Sequence, residues 1–85
     1  MEKELHEIRK SIIDYDLHFI KRWKTRDIEL DKVDETIRTG RAVKQNGRKI
    51  IFERYFGKEN ETYCIVCIAR DNFTEVRTVW KKEGR

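Results

Sequence analysis

The sequence predicts an α+β fold in the order ααββββ, two N-terminal helices followed by a four-stranded antiparallel sheet. Three observations carry that prediction. Apolar residues recur at helical intervals as far as Ile37 and at strand intervals after Gly40. Asn46-Gly47 lies between two strand-like runs, where it signals a hairpin. A chain of 85 residues supports one hydrophobic core. Proline is absent and no repeat or low-complexity run interrupts the pattern, so residues 1–85 read as one domain.

The first helical region carries Leu5, Ile8, Ile12, Ile13, Leu17, Phe19, Ile20 and Trp23. At about 100° per residue, Ile13, Leu17, Ile20 and Trp23 share an apolar side. Glu7, Asp14, His18, Lys21, Arg22 and Thr25 gather opposite them. Asp14 and Asp16 are each able to cap a new start, so the stretch is either one long helix or two segments meeting near Tyr15. Residues 25–28 read as a turn. Leu30, Val33 and Ile37 then mark a second, shorter helix, which Gly40 is expected to end in a left-handed conformation.

After Gly40 the period changes. Residues 42–45 and 48–56 flank Asn46-Gly47, and both turn residues tolerate the positive φ of a type I′ hairpin. Residues 57–61 make the next turn. Residues 62–69 are nearly all apolar or β-branched, as a central strand buried on both faces requires. A further turn at residues 70–72 leads into a strand over 73–81, and residues 82–85 are expected to fray.

Composition narrows the function classes. The charged share is 42%, against about 25% in ordinary globular chains, so the core is small. An aromatic share of 11%, with runs such as Ile50-Ile51-Phe52, argues against disorder. The net charge of +4 favours polyanions, and both nucleic acid and an acidic protein satisfy it. The opening Met-Glu-Lys-Glu-Leu-His lacks the pattern of a secretory signal, and no run approaches the roughly 18 apolar residues of a membrane span. A cytoplasmic protein without a membrane partner is expected.

Cys64 and Cys67 form a C-x-x-C spacing, but within a strand residues i and i+3 point to opposite faces and do not chelate together. Two buried, inert thiols are the expectation, with no metal and no cofactor. His18 is the most informative ionisable residue, because Arg22 follows one helical turn later, Arg26 two turns later, and Lys21 is close. Such a face suits a phosphate, although a solvated helix face carrying one histidine has the same pattern. In the last strand, Val76, Thr78 and Trp80 are expected on one face, Arg77 and Val79 on the other. If the helices cover one side of the sheet, Lys44, Arg54 and Arg77 on the opposite side are placed to meet a nucleic-acid backbone, or are simply solvent-facing. No nucleotide-binding glycine loop is present.

The spacing His18-x-x-x-Arg22-x-x-x-Arg26-x-Ile28 resembles that of small phage and bacterial domains of unknown function grouped with RelE-like and BrnT-like toxins. The resemblance continues through Thr39-Gly40 to Thr78-Val79-Trp80. It spans residues 16–81, leaving residues 1–15 as an N-terminal helical extension and 82–85 as a tail. The sequence departs from that family at Phe19, where a small residue is usual, and at Asp27, where glycine is common. The resemblance implies a RelE-like fold and metal-independent RNA cleavage, with His18, Arg22 and Thr78 nearest the active cleft. It also implies Arg26 in a supporting role. Cleavage of this type is attack of a 2′-hydroxyl on the adjacent phosphate, with His18 as acid or base and Arg22, joined by Arg54 or Arg77, clamping the phosphate. The expected partners are RNA and an acidic antitoxin. Two further readings stand beside this one. A non-catalytic module would use the same basic surface for binding, and an interaction protein would form a homodimer through Leu5, Ile8 and Ile12 of the N-terminal helix.

Overall fold

The computed structural model describes residues 4–22 and 27–85, with the backbone alone for His18 and Arg22. The elements are α1 (Leu5–Lys10), β1 (Ile12–Tyr15), α2 (Leu17–Arg22), α3 (Leu30–Thr39), β2 (Arg41–Asn46), β3 (Lys49–Phe56), β4 (Glu61–Ala69) and β5 (Phe73–Glu83). The strands form one five-stranded sheet in the order β1-β5-β4-β3-β2. Pairs among β2 to β5 are antiparallel, whereas β1 runs parallel to β5, with Ile12 opposite Phe73 and Tyr15 opposite Val76.

The fold is therefore α+β, but neither the ααββββ order nor the RelE-like plan of four antiparallel strands is realised. The error lies in residues 12–15. Ile12, Ile13 and Tyr15 fit a helical period by count, yet two of them are β-branched, and pairing with the edge of β5 offers their backbone groups partners. Leu17 is consequently 73% exposed, outside the apolar stripe predicted for it, while Phe19 enters the core. Of the three residues of the predicted dimer face, Ile12 is 73% exposed and the other two are occupied within the chain. Ile8 is fully buried and Leu5 packs against the same core.

Helix α1 has no side-chain cap and only six residues, too few to persist alone. Tertiary bonds hold it. Arg9 donates to the carbonyls of Ile37, Arg38 and Gly40 at 3.2, 3.0 and 2.7 Å, satisfying acceptors that the end of α3 leaves open. Arg38 reciprocates by donating to the carbonyls of Arg9 and, at 2.9 Å, of Ser11.

Helix α3 follows the sequence reading, with Val33, Thr36 and Ile37 buried. Its stop does not. Gly40 has φ −76° and ψ 178°, an ordinary extended conformation. Glycine is required there by proximity, since a Cβ would stand 2.4 Å from the Thr36 carbonyl oxygen and 2.8 Å from that of Glu53. The left-handed conformation appears instead at Asp27, φ 53°, where the resembled family often has glycine.

The first hairpin is shifted by one residue from the prediction. Asn46 pairs with Lys49, so the turn residues are Gly47 and Arg48, and only Gly47 has positive φ, at 62°. Strand β4 is the central strand, as expected. Strand β5 runs on to Glu83, and residues 82–85 are tied down: Gly84 donates to the Asn60 carbonyl at 2.7 Å and the Arg85 guanidinium lies over the Tyr55 ring.

All three helices pack on one face of the sheet. Ile8, Phe19, Val33 and Ile37 form a single core with Ile50, Phe52, Tyr63, Ile65, Cys67, Val76 and Val79. Among the described residues, no helix is long and apolar enough to cross a membrane.

Candidate nucleic-acid interface

The face opposite the helices is built by alternation along the strands. Because Ile50 and Phe52 point into the core, Lys49, Ile51, Glu53 and Tyr55 point outward from β3. The pairing carries these positions across the sheet in rows. Lys49 lies opposite Ile68, which lies opposite Glu75. Lys44 faces Ile51, then Val66, then Thr78. Arg41 faces Glu53, then Cys64, then Trp80, and Tyr55 faces Thr62, then Lys82. The middle of the face is thus an aliphatic floor of Ile51, Val66 and Ile68, each half-buried, with charged and hydroxyl side chains around it.

Strand β5 contains the local feature on which the site depends. A bulge between the pairs Val66–Thr78 and Cys67–Val76 leaves Arg77 as an extra residue. Val76 and Val79 both remain in the core, three residues apart, while Arg77, Thr78 and Trp80 are all exposed. Strict alternation predicts Val76 on the face of Thr78 and Trp80, and Val79 on that of Arg77. The bulge reverses this and brings Arg77 and Thr78 to one groove of about 630 Å³, lined also by Asp16, Lys49, Val66 and Ile68. The Asp16 backbone N–H donates to the Val76 carbonyl at 3.0 Å, which fixes the start of α2 against the bulge.

Of the predicted site residues, Thr78 and Arg77 line this groove, and Lys44 lies at the other end of the Thr78 row, where it joins Asn46, Lys49 and Ile51 around a smaller pocket. Lys21 is exposed on α2 and is not a groove residue. His18 and Arg22 lie on α2, which begins one residue after Asp16, but their side chains fall outside what is described, and Arg26 falls outside the described residues altogether. Arg54 is a correction. It shares the parity of Ile50 and Phe52, so it points to the helix side, where it pairs with Glu35 and lies over the Phe56 ring, 4.6 Å from its centroid.

Sequence reasoning missed Asp16, Lys49 and Trp80. The signal for Lys49 was available, because it alternates with the buried Ile50. Lys44, Lys49, Arg77 and Lys82 are exposed and form no ion pair among the described residues. Of the carboxylates nearby, Glu75 accepts from Arg70 at 2.6 and 2.9 Å and Glu53 pairs with Arg41 at 3.6 Å, while Asp14, opposite Glu75, and Asp16, in the groove, set two negative charges against the four cations. The face therefore offers net positive charge next to apolar surface.

The two cysteines lie on opposite faces, Cys67 in the core and Cys64 beneath the open face, where its thiol donates to Glu53 at 3.7 Å. Burial raises the Cys67 thiol to about 12, and burial followed by the Glu53 charge raises Cys64. Neither is primed as a nucleophile. The described residues contain no group of three histidine, cysteine, aspartate or glutamate side chains able to hold a metal ion.

No family model matches the chain, and neither the curated proteins nor the solved structures compared with it include a match.

Proposed function

We propose that the protein is an RNA-binding domain that cleaves its bound strand without a metal ion. The observation supporting this reading is the groove that joins Asp16, Lys49, Arg77 and Thr78 at the root of α2, the helix carrying His18 and Arg22. In-line attack by a 2′-hydroxyl needs a proton acceptor, a proton donor and cations around the phosphorane. His18 serves as acid or base, with the Asp16 carboxylate beside it in sequence to orient it or to accept the proton. Arg77 and Arg22 hold the phosphate through paired planar donors, and Thr78 donates its hydroxyl to a non-bridging oxygen. The resemblance to RelE-like toxins contributes only these motif residues, since the topology differs. An acidic antitoxin-like protein covering the same cations is the restraint this reading implies, in the cytoplasm where its RNA would be met.

A second reading, binding without cleavage, is favoured by the breadth of the basic face, which extends to Lys44 and Lys82, well beyond the groove. Labelled RNA incubated in EDTA with the wild type, His18→Ala and Thr78→Val, then resolved on a denaturing gel, separates the two. Cleavage that disappears in His18→Ala while RNA affinity is retained supports the nuclease. Intact RNA, bound equally by all three proteins, leaves the non-catalytic module.

A further inference from the structure

A second cleft lies at the far end from the groove, at the sheet edge where α3 ends and β2 begins, so that Thr39, Gly40 and Arg54 wall it from the helix side. It measures about 500 Å³ and is lined by Arg41, Arg54, Arg85, Tyr55, Thr62 and Glu53, among others. The Arg41 side chain is 77% exposed and pairs with Glu53 at 3.6 Å, a loose approach that leaves donors over for a ligand. Arg85 stacks on Tyr55 with its guanidinium 4.5 Å from the ring centroid. Arg54 is held by Glu35 and supplies wall instead of donors.

Trp80 lies on β5, at the far end of the row that Arg41 and Glu53 begin. It is 41% exposed, one of the few large apolar side chains left in water, and its row separates the Thr78 row from that of Tyr55 and Lys82. From Val66, level with Thr78, to Thr62, level with Tyr55, is four residues of β4, or about 13 Å at 3.3 Å per residue. A stacked strand covers that distance in about four steps of 3.4 Å, and an unstacked one in fewer.

We propose that the RNA is taken as a single strand that crosses this face from the Thr78 groove to the Arg41–Arg85 cleft, with one base stacked on Trp80 and a second phosphate held between the two arginines. This rests on reading the open face as the RNA surface. The chemistry favours a single strand because a duplex keeps its base faces stacked internally, whereas an exposed indole engages only a base that is free of its neighbours. Charge complementarity favours a nucleic acid over a neutral protein partner, since the cations at both ends flank an aliphatic floor on which sugars and bases lie.

The test is fluorescence anisotropy of a labelled RNA octamer, single-stranded or annealed to its complement, in a His18→Ala background that prevents cleavage. Trp80→Leu keeps an apolar cover over Cys64 but removes the ring, and Trp80→Phe keeps a ring; thermal melts check that both fold. Single-strand affinity should fall roughly five- to 150-fold in Trp80→Leu and recover in Trp80→Phe. Duplex affinity should be weaker at the outset and indifferent to Trp80. The double variant Arg41→Ala/Arg85→Ala should flatten the salt dependence of single-strand binding by about 0.7 for each phosphate the protein no longer neutralises. Equal affinity for duplex and single strand, or an unchanged Kd in Trp80→Leu, overturns the inference while leaving RNA binding intact. Failure of either RNA to bind at low salt removes the underlying reading, and the inference with it.

Discussion

The two faces of this sheet are made by the same strands, yet they solve different problems. On the helix side, Ile50, Phe52, Ile65, Cys67, Val76 and Val79 are buried against three helices, and the cations that border them are paired: Lys32 with Glu29 and Glu59 at 2.8 and 2.9 Å, Lys81 with Glu61 at 3.0 Å. These pairings raise both lysine pKa values, led by the hydrogen bond to Glu29 for Lys32 and to Glu61 for Lys81. On the open side, Ile51, Val66 and Ile68 remain half in water, and Lys44, Lys49, Arg77 and Lys82 have no ion pair among the described residues. A side selected only for stability would pair its charges and bury its aliphatics. The difference locates the core and its paired cations on one face, and on the other the unpaired cations on which the proposed RNA binding rests.

Adjacent residues of β3 provide the sharpest contrast. Phe52 is fully buried and lies under the Arg9 guanidinium, so Phe52→Ala removes both a core ring and the support for the clasp between α1 and α3. A loss of about 3–5 kcal/mol is expected, and in a domain of this size each kcal/mol lowers the Tm by roughly 4–8 °C. Ile51→Ala, one residue away on the open face, should cost less than about 1.5 kcal/mol, because part of its surface is already hydrated. Urea unfolding of the two variants measures the difference. Equal losses would mean that the open face carries as much of the fold as the helix face.

Gly40 is the next largest effect. Its φ is compatible with any residue, so a substitution there tests proximity alone. Gly40→Ala drives a methyl into the Thr36 and Glu53 carbonyls and is expected to cost about 1–3 kcal/mol by overpacking. A neutral or stabilising Gly40→Ala would show that α3 and the β3 edge separate easily.

These two positions also show what the sequence makes legible. Helix α3, the central β4 and the turns at Gly47 and Asn60 are local: period, apolar runs and glycine placement define them within a few residues. Strand β1 is not local. Residues 12–15 acquire their strand conformation from β5, 61 positions further on at Ile12 and Phe73, and the β-branched Ile12 and Ile13 alone do not distinguish a parallel edge from a helical turn. The bulge is invisible for the same reason. Val76 and Val79 sit at a helix-like spacing inside a strand, and the extra residue is decided by register against Cys67 and Val66. Half of the candidate site depends on it, since without the bulge Arg77 would turn away from Thr78. Arg54 differs from both, because counting outward from the buried Ile50 already assigns it to the helix side.

The thiols divide along the same line. Burial holds Cys67 at about 12, against an ordinary value near 9, so the folded state favours its neutral form. Between pH 9 and 12 the unfolded chain loses this proton and the folded chain keeps it, so stability falls as pH rises through that window. From pH 8 to pH 10 the wild type should lose about 1 kcal/mol more than Cys67→Ala, as read from urea midpoints at each pH. Cys64, raised in the same direction but beneath the open face, should be labelled by a thiol reagent at pH 8 before Cys67, which mass spectrometry of the native protein resolves. Simultaneous labelling would indicate that both wait for global unfolding.

The smallest effect on stability belongs to the open-face cations, and for them smallness is the informative result. Lys44→Glu and Lys49→Glu break no ion pair among the described residues, so each should change the unfolding free energy by less than about 0.5 kcal/mol. The same variants place a carboxylate where the RNA reading requires a phosphate. Single-strand affinity should drop, and the slope of log K against log salt should shrink by about 0.7 for each phosphate left without its lysine. A variant that melts like the wild type but binds less RNA separates the two faces in a single side chain. One that loses stability and affinity together would show that these lysines belong to the fold, and that the open face is held in place by the charges assigned here to binding.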